Sequence, residues 1–516
     1  MKVPLTIGDF LRRGAAVYGD RTAVFDEPAT AGSLGALTYR ELESRARGMA
    51  LALAEMGVGP GERVAIVSPN AARFLISFFG VSGYGRVLVP VNFRLNADEI
   101  SYIVAHSGAS VLLVDPDSDD ILRGIPVKHK IVLDGSADAG LFAPAADGAE
   151  PAAWAADEDA TASINYTSGT TARPKGVQLT HRNCWLNAAT FGWHTAVSDR
   201  DVFLHTLPMF HCNGWGMPYA VTGMGVPQVV IRKIDGEEIL RRIEAHGVTL
   251  MCGAPAVVAA ILTAAAERRA AGRDVPGAGT TRIVVAGAPP PSKTIERVET
   301  ELGWEFIQIY GLTETAPLLT INRAPAEWDG LEAGERARLQ SRAGVPAIGV
   351  QIQTDEEGEV LARSNHVFAG YWEQPEESAR ALAGGWFRTG DKGHVEAGDY
   401  LVISDRKKDV IISGGENVSS VEVEDCLYQH PAVAEAAVIG VPDARWGETV
   451  KALVVLRAGT DADEAALIEH CRARLAHFKC PTSIEVRDTL PRTATGKLQK
   501  FKLREPYWTG LDRKVN

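Results

Sequence analysis

The stretch Tyr166-Thr-Ser-Gly-Thr-Thr-Ala-Arg-Pro-Lys-Gly176 holds five hydroxyl residues and one glycine within its first six positions. Small hydroxyl side chains and glycine favour a loop over a core strand or a helix interior. Hydroxyl groups and free backbone N–H groups can surround a phosphate, and Lys175 adds a positive charge. The stretch therefore predicts a phosphate-binding loop, although a Ser/Thr/Gly surface linker would have the same composition.

The loop is not that of the P-loop nucleotide-binding proteins. Their pattern is G-x-x-x-x-G-K-[ST], whereas Pro174 stands five residues after Gly169 here. The stretch instead resembles the signature loop of the adenylate-forming superfamily, Y-T-S-G-T-T-G-x-P-K-G, shared by acyl-CoA synthetases, carrier-protein adenylation domains and firefly-type luciferases. Ala172 stands where that family usually has glycine, which removes backbone freedom at one position. The resemblance implies that ATP is bound by Thr167, Ser168, Gly169, Thr170, Thr171 and Lys175.

Length and composition indicate a multidomain globular protein. The 516 residues exceed one compact core, so two or more domains are expected. Apolar residues make up 46% and charged residues 23% of the chain, which are ordinary values. A net charge of −12 disfavours a general binder of nucleic acids or anionic membranes. We find no apolar run long enough to cross a membrane, which leaves a peripheral membrane contact open.

The cysteines and the N-terminus favour the cytoplasm. The six cysteines form no C-x-x-C pair and no zinc-like spacing with histidine, so we expect reduced structural thiols. Residues 1–10 lack the apolar run of a signal peptide. We expect neither a nucleic-acid partner nor an integral membrane segment, and we include a homodimer among the expected assemblies.

Alternating strand-like and helix-like segments predict an α/β fold. Thr38, with Glu41 three residues later, predicts a helix that stops at Gly57. Other helices are predicted at residues 70–85, 97–107, 235–246, 255–271, 421–430 and 464–476. Strands are predicted at residues 63–69, 87–91, 110–115, 202–208, 228–231, 249–253, 282–288, 306–310, 433–441 and 450–456.

The pattern of predicted secondary structure changes twice after these α/β segments. Residues 326–405 are rich in short strands and turns, and an alternating pattern restarts after the charged run 405–409. We predict an N-terminal AMP-binding domain, residues 1–405, made of layered α/β subdomains and a β-rich part. A small, mobile α+β domain, residues 406–516, would follow a hinge near 405–409.

The segment Pro208-Met-Phe-His-Cys-Asn-Gly214 follows a predicted strand. His211 could act as an acid, a base or a gate, or could simply pack at a strand end. By resemblance, His211 guards the acyl pocket and the glycine-rich segment that follows lines it. Trp215 is then a wall of that pocket, with a core tryptophan as the alternative.

Tyr310-Gly-Leu-Thr-Glu314 is the more specific motif. An aromatic ring offers a stacking face for adenine, and Gly311 permits close backbone approach to a ligand. Thr313 offers a hydroxyl group, and Glu314 offers a carboxylate for Mg²⁺. The whole pattern matches the family's Y-G-x-T-E, and the family's adenine also lies beside the segment Gly287, Ala288 and Pro289.

The remaining motifs lie near and beyond the predicted hinge. By resemblance, Asp391 accepts hydrogen bonds from ribose, Arg406 contacts ribose or phosphate, and Lys408 is the hinge. Gly414 and Gly415 would let the arm of coenzyme A pass. Lys497 matches the mobile catalytic lysine, and His211, Thr313 and Glu314 complete the predicted catalytic set.

The resemblance implies an ATP-dependent, Mg²⁺-requiring acid–thiol ligase that forms acyl-AMP and transfers the acyl group to coenzyme A. The 208–215 segment looks like that of members acting on fatty or small aliphatic acids. An aromatic-acid ligase of the benzoate, cinnamate or salicylate type, or an enzyme that loads a carrier-protein phosphopantetheine, is the alternative. A luciferase-like oxidase and a non-catalytic nucleotide sensor are further alternatives, the second disfavoured by the presence of both Lys497 and Glu314.

Overall fold

The computed structural model describes residues 1–28, 30–167, 174–406, 409–413, 416–443, 446–493 and 498–509, without the side chains of Arg406 and Asn417. The strands in these ranges are β1 Thr22–Phe25, β2 Ala36–Thr38, β3 Arg63–Val67, β4 Val87–Val91, β5 Ala109–Val114, β6 His129–Val132, β7 Thr161–Thr167, β8 Lys175–Thr180, β9 Phe203–His205, β10 Gln228–Val230, β11 Leu250–Gly253, β12 Arg282–Val285, β13 Glu305–Gly311, β14 Leu318–Arg323, β15 Val345–Pro346, β16 Val350–Thr354, β17 Glu359–Ser364, β18 Gly370–Tyr371, β19 Phe387–Glu396, β20 Tyr400–Arg406, β21 Ile411–Ser413, β22 Glu416–Val418, β23 Val433–Asp443, β24 Gly447–Leu456 and β25 Ser483–Val486.

The helices in the same ranges are α1 Gly8–Tyr18, α2 Tyr39–Glu55, α3 Ala72–Ser77, α4 Ala97–Ser107, α5 His181–His194, α6 Met217–Gly223, α7 Gly236–His246, α8 Pro255–Ala270, α9 Ser292–Arg297, α10 Ala333–Gln340, α11 Pro375–Ala381, α12 Ser420–Tyr428, α13 Glu464–Arg472 and α14 Lys500–Trp508. Several of the described helices, α2, α4, α5, α7, α12 and α13 among them, begin at a capping side chain. Thr38 accepts a hydrogen bond from the backbone N–H of Glu41, and the Glu41 side chain bonds back to Thr38. None of the described helices is long and apolar enough to span a membrane.

Two large mixed sheets form the body of the molecule. Within the described ranges, a nine-stranded sheet has the order β15-β14-β13-β12-β11-β9-β10-β1-β2, and a seven-stranded sheet has the order β18-β8-β7-β4-β3-β5-β6. The inner strands run parallel. Both ends of the nine-stranded sheet and the β18–β8–β7 end of the seven-stranded sheet are antiparallel, whereas its other end, the β5–β6 pair, is parallel. Buried aliphatic and aromatic residues pack on the faces of both sheets, which explains the near-continuous apolar strands.

The two sheets do not divide the chain into a first and a second half. Strand β1 pairs with β10, so the N-terminal hairpin completes the sheet built from residues 203–346. Strand β18, from the β-rich region, pairs with β8 at the edge of the other sheet. Local pattern cannot reveal such long-range pairing, because the partners are about 200 residues apart.

Two smaller sheets follow. Strands β16, β17, β19 and β20 form an antiparallel sheet, in agreement with the predicted β-rich part. Strands β21 to β25 form a C-terminal sheet whose buried apolar residues pack against α12 and α13. Asp425 of α12 accepts hydrogen bonds from the backbone N–H and hydroxyl of Ser292, at 2.8 and 3.1 Å, and so joins this C-terminal part to α9.

Candidate functional site

The predicted adenine-binding segments follow neighbouring parallel strands. Val285 at the end of β12 pairs in register with Gln308 of β13, and β13 ends at Gly311. The segment Gly287, Ala288 and Pro289 therefore follows β12 at the carboxyl ends of the parallel strands, where the neighbouring strand β13 carries Tyr310. Gly287 has φ +98°, a conformation that favours glycine. Ligands of open α/β sheets bind at the carboxyl ends of the strands.

Tyr310 and Asp391 are in direct contact. The hydroxyl of Tyr310 donates to Oδ2 of Asp391 at 2.7 Å, although 81 residues separate them. Asp391 is buried, and its cross-strand partner in the β19–β20 pair is Arg406. The structure thus brings together the residues predicted for adenine, for ribose and, at backbone level, for ribose or phosphate.

Gly311 is required by the chain itself. A Cβ atom at this position would lie 1.6 Å from the carbonyl oxygen of Pro317. The backbone of β13 therefore passes the start of β14 more closely than any side chain allows. The predicted reason for this glycine was the approach of a ligand, and the structure adds an approach within the protein.

Glu314 belongs to a chain of polar contacts that the sequence did not predict. The hydroxyl of Tyr371 donates to Oε1 of Glu314 at 2.9 Å. Lys175 Nζ lies 5.0 Å from the centre of the Tyr371 ring and forms a 2.8 Å ion pair with Glu377. Burial and the neighbouring Glu314 carboxylate raise the pKa of Tyr371 above its usual value, so this hydroxyl remains a donor. The hydrogen bond from Lys175 lowers the pKa of Glu377.

The signature loop is the connection of a β-hairpin. Strands β7 and β8 pair antiparallel, with Thr167 opposite Lys175. At the entrance to the loop, the hydroxyl of Tyr166 lies 2.8 Å from Nδ1 of His106. The hairpin brings Lys175 next to Tyr371, whose hydroxyl bonds Glu314.

His211 and Trp215 lie in a separate segment beside α6. His211 is half-buried, and its backbone N–H donates to the carbonyl of Pro208 at 3.0 Å. Trp215 is 3% exposed and belongs to the core, so both of the predicted interpretations for it stay open. The Sγ atom of Cys212 lies 3.9 Å from the carbonyl oxygen of Thr313, which connects this segment to the Tyr310–Glu314 motif.

Several predicted residues lie outside the described part of the chain. These are Ser168, Gly169, Thr170, Thr171 and Ala172 of the signature loop, Lys408 of the predicted hinge, Gly414 and Gly415, and Lys497. For Arg406 only the backbone is described. Their predicted roles stay predictions.

The sequence motifs did not indicate Tyr371 or Glu377. They also did not indicate the buried asparagines Asn165, Asn187 and Asn213. A glycine followed by two aromatic residues, Gly370-Tyr371-Trp372, is the only local signal near Tyr371. Among the described residues no group of three or more His, Cys, Asp or Glu side chains could hold a metal ion. A single carboxylate such as Glu314 still suits Mg²⁺, which commonly takes one or two carboxylates and completes its shell with substrate phosphates and water.

Two family models match this chain. Residues 11–372 match the AMP-binding enzyme model, and residues 422–497 match the AMP-binding enzyme C-terminal domain. The chain belongs to the AMP-binding enzyme family. The resemblance inferred from the motifs is thereby confirmed.

Relatives of known activity are similar to this AMP-binding enzyme along its length. It is 37% identical to a 2-methylpropanoate–CoA ligase of Humulus lupulus, over 97% of this chain and 95% of that protein. It is 36% identical to a peroxisomal acetate/butyrate–CoA ligase of Arabidopsis thaliana, over 96% of this chain and 93% of that protein. An anthranilate–CoA ligase in complex with anthranoyl-AMP has a TM-score of 0.87 and 29% identity, over 98% of this chain and 99% of that chain.

These similarities confirm the predicted reaction class and the α/β fold. This AMP-binding enzyme is an AMP-forming acyl-CoA synthetase, an acid–thiol ligase whose substrates are a carboxylic acid, ATP and coenzyme A.

Proposed function

We propose that the enzyme activates a small aliphatic carboxylic acid as its acyl-adenylate and transfers the acyl group to coenzyme A, with Mg²⁺ as the metal cofactor. The proposal rests on one observation above all: the Tyr310–Glu314 motif contacts Asp391 through Tyr310 and is linked to Lys175 through the bond of Glu314 with Tyr371. An aromatic face, a ribose acceptor, a metal carboxylate and a phosphate cation are what binding of Mg²⁺–ATP requires.

In the first half-reaction, a carboxylate oxygen forms a bond to the α-phosphorus of ATP and the bond to pyrophosphate breaks. Tyr310 stacks on adenine while Asp391 holds ribose. Glu314 would hold Mg²⁺, which would supply charge neutralisation at the phosphates. Lys175 and Lys497 add positive charge near the phosphoryl oxygens. Such charge favours the reaction, because catalysis of phosphoryl chemistry depends mainly on positioning and electrostatics.

In the second half-reaction, the thiol of coenzyme A gives its proton to solvent and its sulfur attacks the acyl carbonyl. The bond from the carbonyl carbon to AMP breaks, and the thioester and AMP are released. We assign residues 1–405 to the adenylation domain and residues 406–516 to a domain that rotates at Lys408. Rotation removes Lys497 and brings Gly414 and Gly415 to the site, so that one pocket serves two reactions. The contact between Ser292 and Asp425 is then specific to one arrangement of the domains.

The preference for a small aliphatic acid is supported by the two relatives named above, whose names specify 2-methylpropanoate and acetate or butyrate. An aromatic acid is the second candidate, because the anthranilate–CoA ligase has a similar fold along the full length of the chain. His211 and Trp215 would border the acyl group in either case.

Pyrophosphate exchange into ATP tests the assignment directly. We expect exchange that depends on an acid of two to about six carbons and on Mg²⁺, and thioester formation with free coenzyme A. Exchange with benzoates alone would support the aromatic-acid alternative, and exchange with no acid would refute the proposal. Thioester formation on a holo carrier protein, with none on free coenzyme A, would identify the carrier-protein ligase instead.

The two half-reactions separate the role of Lys497. The Lys497→Ala variant should lose acid-dependent exchange by at least about a hundredfold and still convert preformed acyl-adenylate to thioester. Lys502→Ala, which removes an exposed lysine of α14, is the matched control and should retain both activities. Equal loss of both half-reactions in Lys497→Ala would contradict the rotation of the domains.

We also assign the enzyme to the cytoplasm. All six cysteines are buried free thiols, which suits a reducing compartment. The Arabidopsis thaliana relative is named as peroxisomal, so fractionation of the native cells that recovers the protein with peroxisomes would overturn this assignment. A homodimer is the proposed assembly, and light scattering tests it.

A further inference from the structure

Residues 212–216 form a left-handed turn beside the proposed acyl pocket. The five φ angles are +47°, +52°, +59°, +61° and +76°, and three of the residues, Cys212, Asn213 and Trp215, are not glycine. The left-handed conformation is unfavourable for most side chains, is tolerated by glycine and asparagine, and is adopted routinely only by single residues. A run of five is therefore held in place by its surroundings.

One anchor is a buried triangle of side chains. Nδ2 of Asn213 donates to Oγ of Ser163 at 2.8 Å, and Nδ2 of Asn165 donates to Oδ1 of Asn213 at 3.2 Å. The hydroxyl of Ser163 closes the triangle by donating to Oδ1 of Asn165 at 3.0 Å. All three side chains are at most 2% exposed. The triangle fixes the turn to β7, the strand that leads into the signature loop.

The second anchor is Asn187 of α5, which has no exposed surface. Its Nδ2 donates to the carbonyl of Trp215 at 3.1 Å, and its Oδ1 accepts from the backbone N–H of Leu318 at 3.1 Å. One amide thus joins the left-handed turn to the start of β14, four residues after Glu314. This bridge keeps the acyl segment in register with the nucleotide motif.

We propose that Asn213 and Asn187 are positioning residues that set acid selectivity by holding the left-handed turn that contains Trp215 and directly follows His211. The inference rests on the proposed acyl-pocket role of those two residues. Asparagine suits position 213 on two grounds, since it tolerates the left-handed conformation and its amide both donates and accepts. A shift of the turn alters the space for the acyl group, whereas the hydrogen bond between Tyr310 and Asp391 at the nucleotide site involves no residue of the turn.

Two substitutions at residue 213 separate strain from hydrogen bonding. Asn213→Gly keeps a residue that tolerates positive φ and removes the amide, whereas Asn213→Ala removes both. The matched control is Asn322→Ala, because Asn322 is equally buried and its amide bonds two backbone carbonyls of another segment. Ser163→Ala is a milder variant that removes the acceptor of Asn213 from the β7 side.

The assay is acid-dependent exchange with butyrate, 2-methylpropanoate and hexanoate, measured with saturating ATP and then at varied ATP. We expect Asn213→Gly to raise the KM for the preferred acid about tenfold and to change the kcat/KM ratio between acids by at least about fivefold, on the scale of one methylene in an apolar pocket. The KM for ATP should stay within about twofold of the wild-type value. Asn213→Ala should add a lower Tm, and Ser163→Ala should shift the ratio in the same direction by less.

The control and the wild type make the outcome decisive. Asn322→Ala should lower Tm and leave the ratio between acids unchanged. The inference would be overturned if the kcat/KM ratio between acids stayed unchanged in both Asn213→Gly and Ser163→Ala. It would also be overturned if the KM values for acid and ATP rose in parallel. Either result would leave the proposed function intact. A wild-type enzyme that activates none of the acids would instead refute the proposed function, and this inference with it.

Discussion

Replacement of Gly311 by alanine should disrupt the nucleotide site from inside the protein. The added Cβ would lie 1.6 Å from the carbonyl oxygen of Pro317, where real contacts stay above 3.0 Å. The obstacle is backbone, so no side-chain rotation relieves it. Strands β13 and β14 would have to separate by about 1.4 Å at the position where Gly311 pairs with Leu318.

The expected cost follows from this geometry. Overpacking of a well-packed site costs about 1–3 kcal/mol, which corresponds to roughly 2–4 °C in Tm for each kcal/mol in a domain of 150–250 residues. Tyr310 precedes Gly311 directly, so its ring and its bond to Asp391 move with the backbone. A misplacement near 1 Å can reduce a rate about a hundredfold, so acid-dependent exchange should fall by at least about tenfold.

The control for Gly311→Ala is Gly330→Ala, a second glycine at an ordinary φ. Gly330 is exposed, and no heavy atom lies within 4 Å of a Cβ built there. This substitution should change stability by less than about 0.5 kcal/mol. Differential scanning calorimetry and pyrophosphate exchange on both variants test the argument. If Gly311→Ala has the same Tm as Gly330→Ala and catalyses pyrophosphate exchange at the wild-type rate, the close approach at Pro317 does not exist.

Three further perturbations test other contacts. Tyr371→Phe removes the hydroxyl that donates to Glu314. Because a hydrogen bond to a charged group is lost, the Mg²⁺ concentration needed for half-maximal exchange should rise about tenfold. An unchanged Mg²⁺ titration would contradict the contact. Lys500 and Glu424 form a partly buried 2.8 Å ion pair, so Lys500→Met should cost up to about 3–5 kcal/mol in unfolding free energy. Adding Glu424→Gln should recover part of this loss, and equal losses in the single and double variants would exclude the pair. Burial lowers the pKa of His205 to about 4, so the unfolded chain binds its proton near pH 6.5 and the folded chain only near pH 4. Stability should therefore fall by about 2 kcal/mol from pH 7 to pH 5 through this residue, and His205→Asn should show a correspondingly flatter pH dependence in urea titrations.

Local features of the fold were predictable because their causes are local. The capping pair of Thr38 and Glu41 predicted the start of α2, and the segment 97–107 forms α4 between the predicted bounds. The helix predicted over 70–85 begins only at Ala72, and its α-helical part ends at Ser77, where a π-helical segment over residues 78–82 continues it. The pairing of β1 with β10 depends on contacts across the whole domain, which no local pattern encodes.

The site divides in the same way. The residue types of Tyr310 and Glu314 suit adenine and Mg²⁺, and the role of Asp391 is implied by the family resemblance; the structure brings Tyr310 and Asp391 into contact. Tyr371 acts through its hydroxyl from a short edge strand, and Asn213 acts through a buried triangle. An isolated tyrosine or asparagine carries no pattern in sequence, so contacts of this kind become visible only when the strands have been assembled.

The left-handed turn also limits how this enzyme can be redesigned. A directed-evolution library that randomises residues 212–216 to change the acid would mostly contain side chains that resist positive φ at five successive positions. Most members would be lost to misfolding before their pockets were tested. A library restricted to glycine, asparagine and aspartate along the turn, with free variation at His211 and in the surrounding wall, would confine the search to sequences that this backbone can accept.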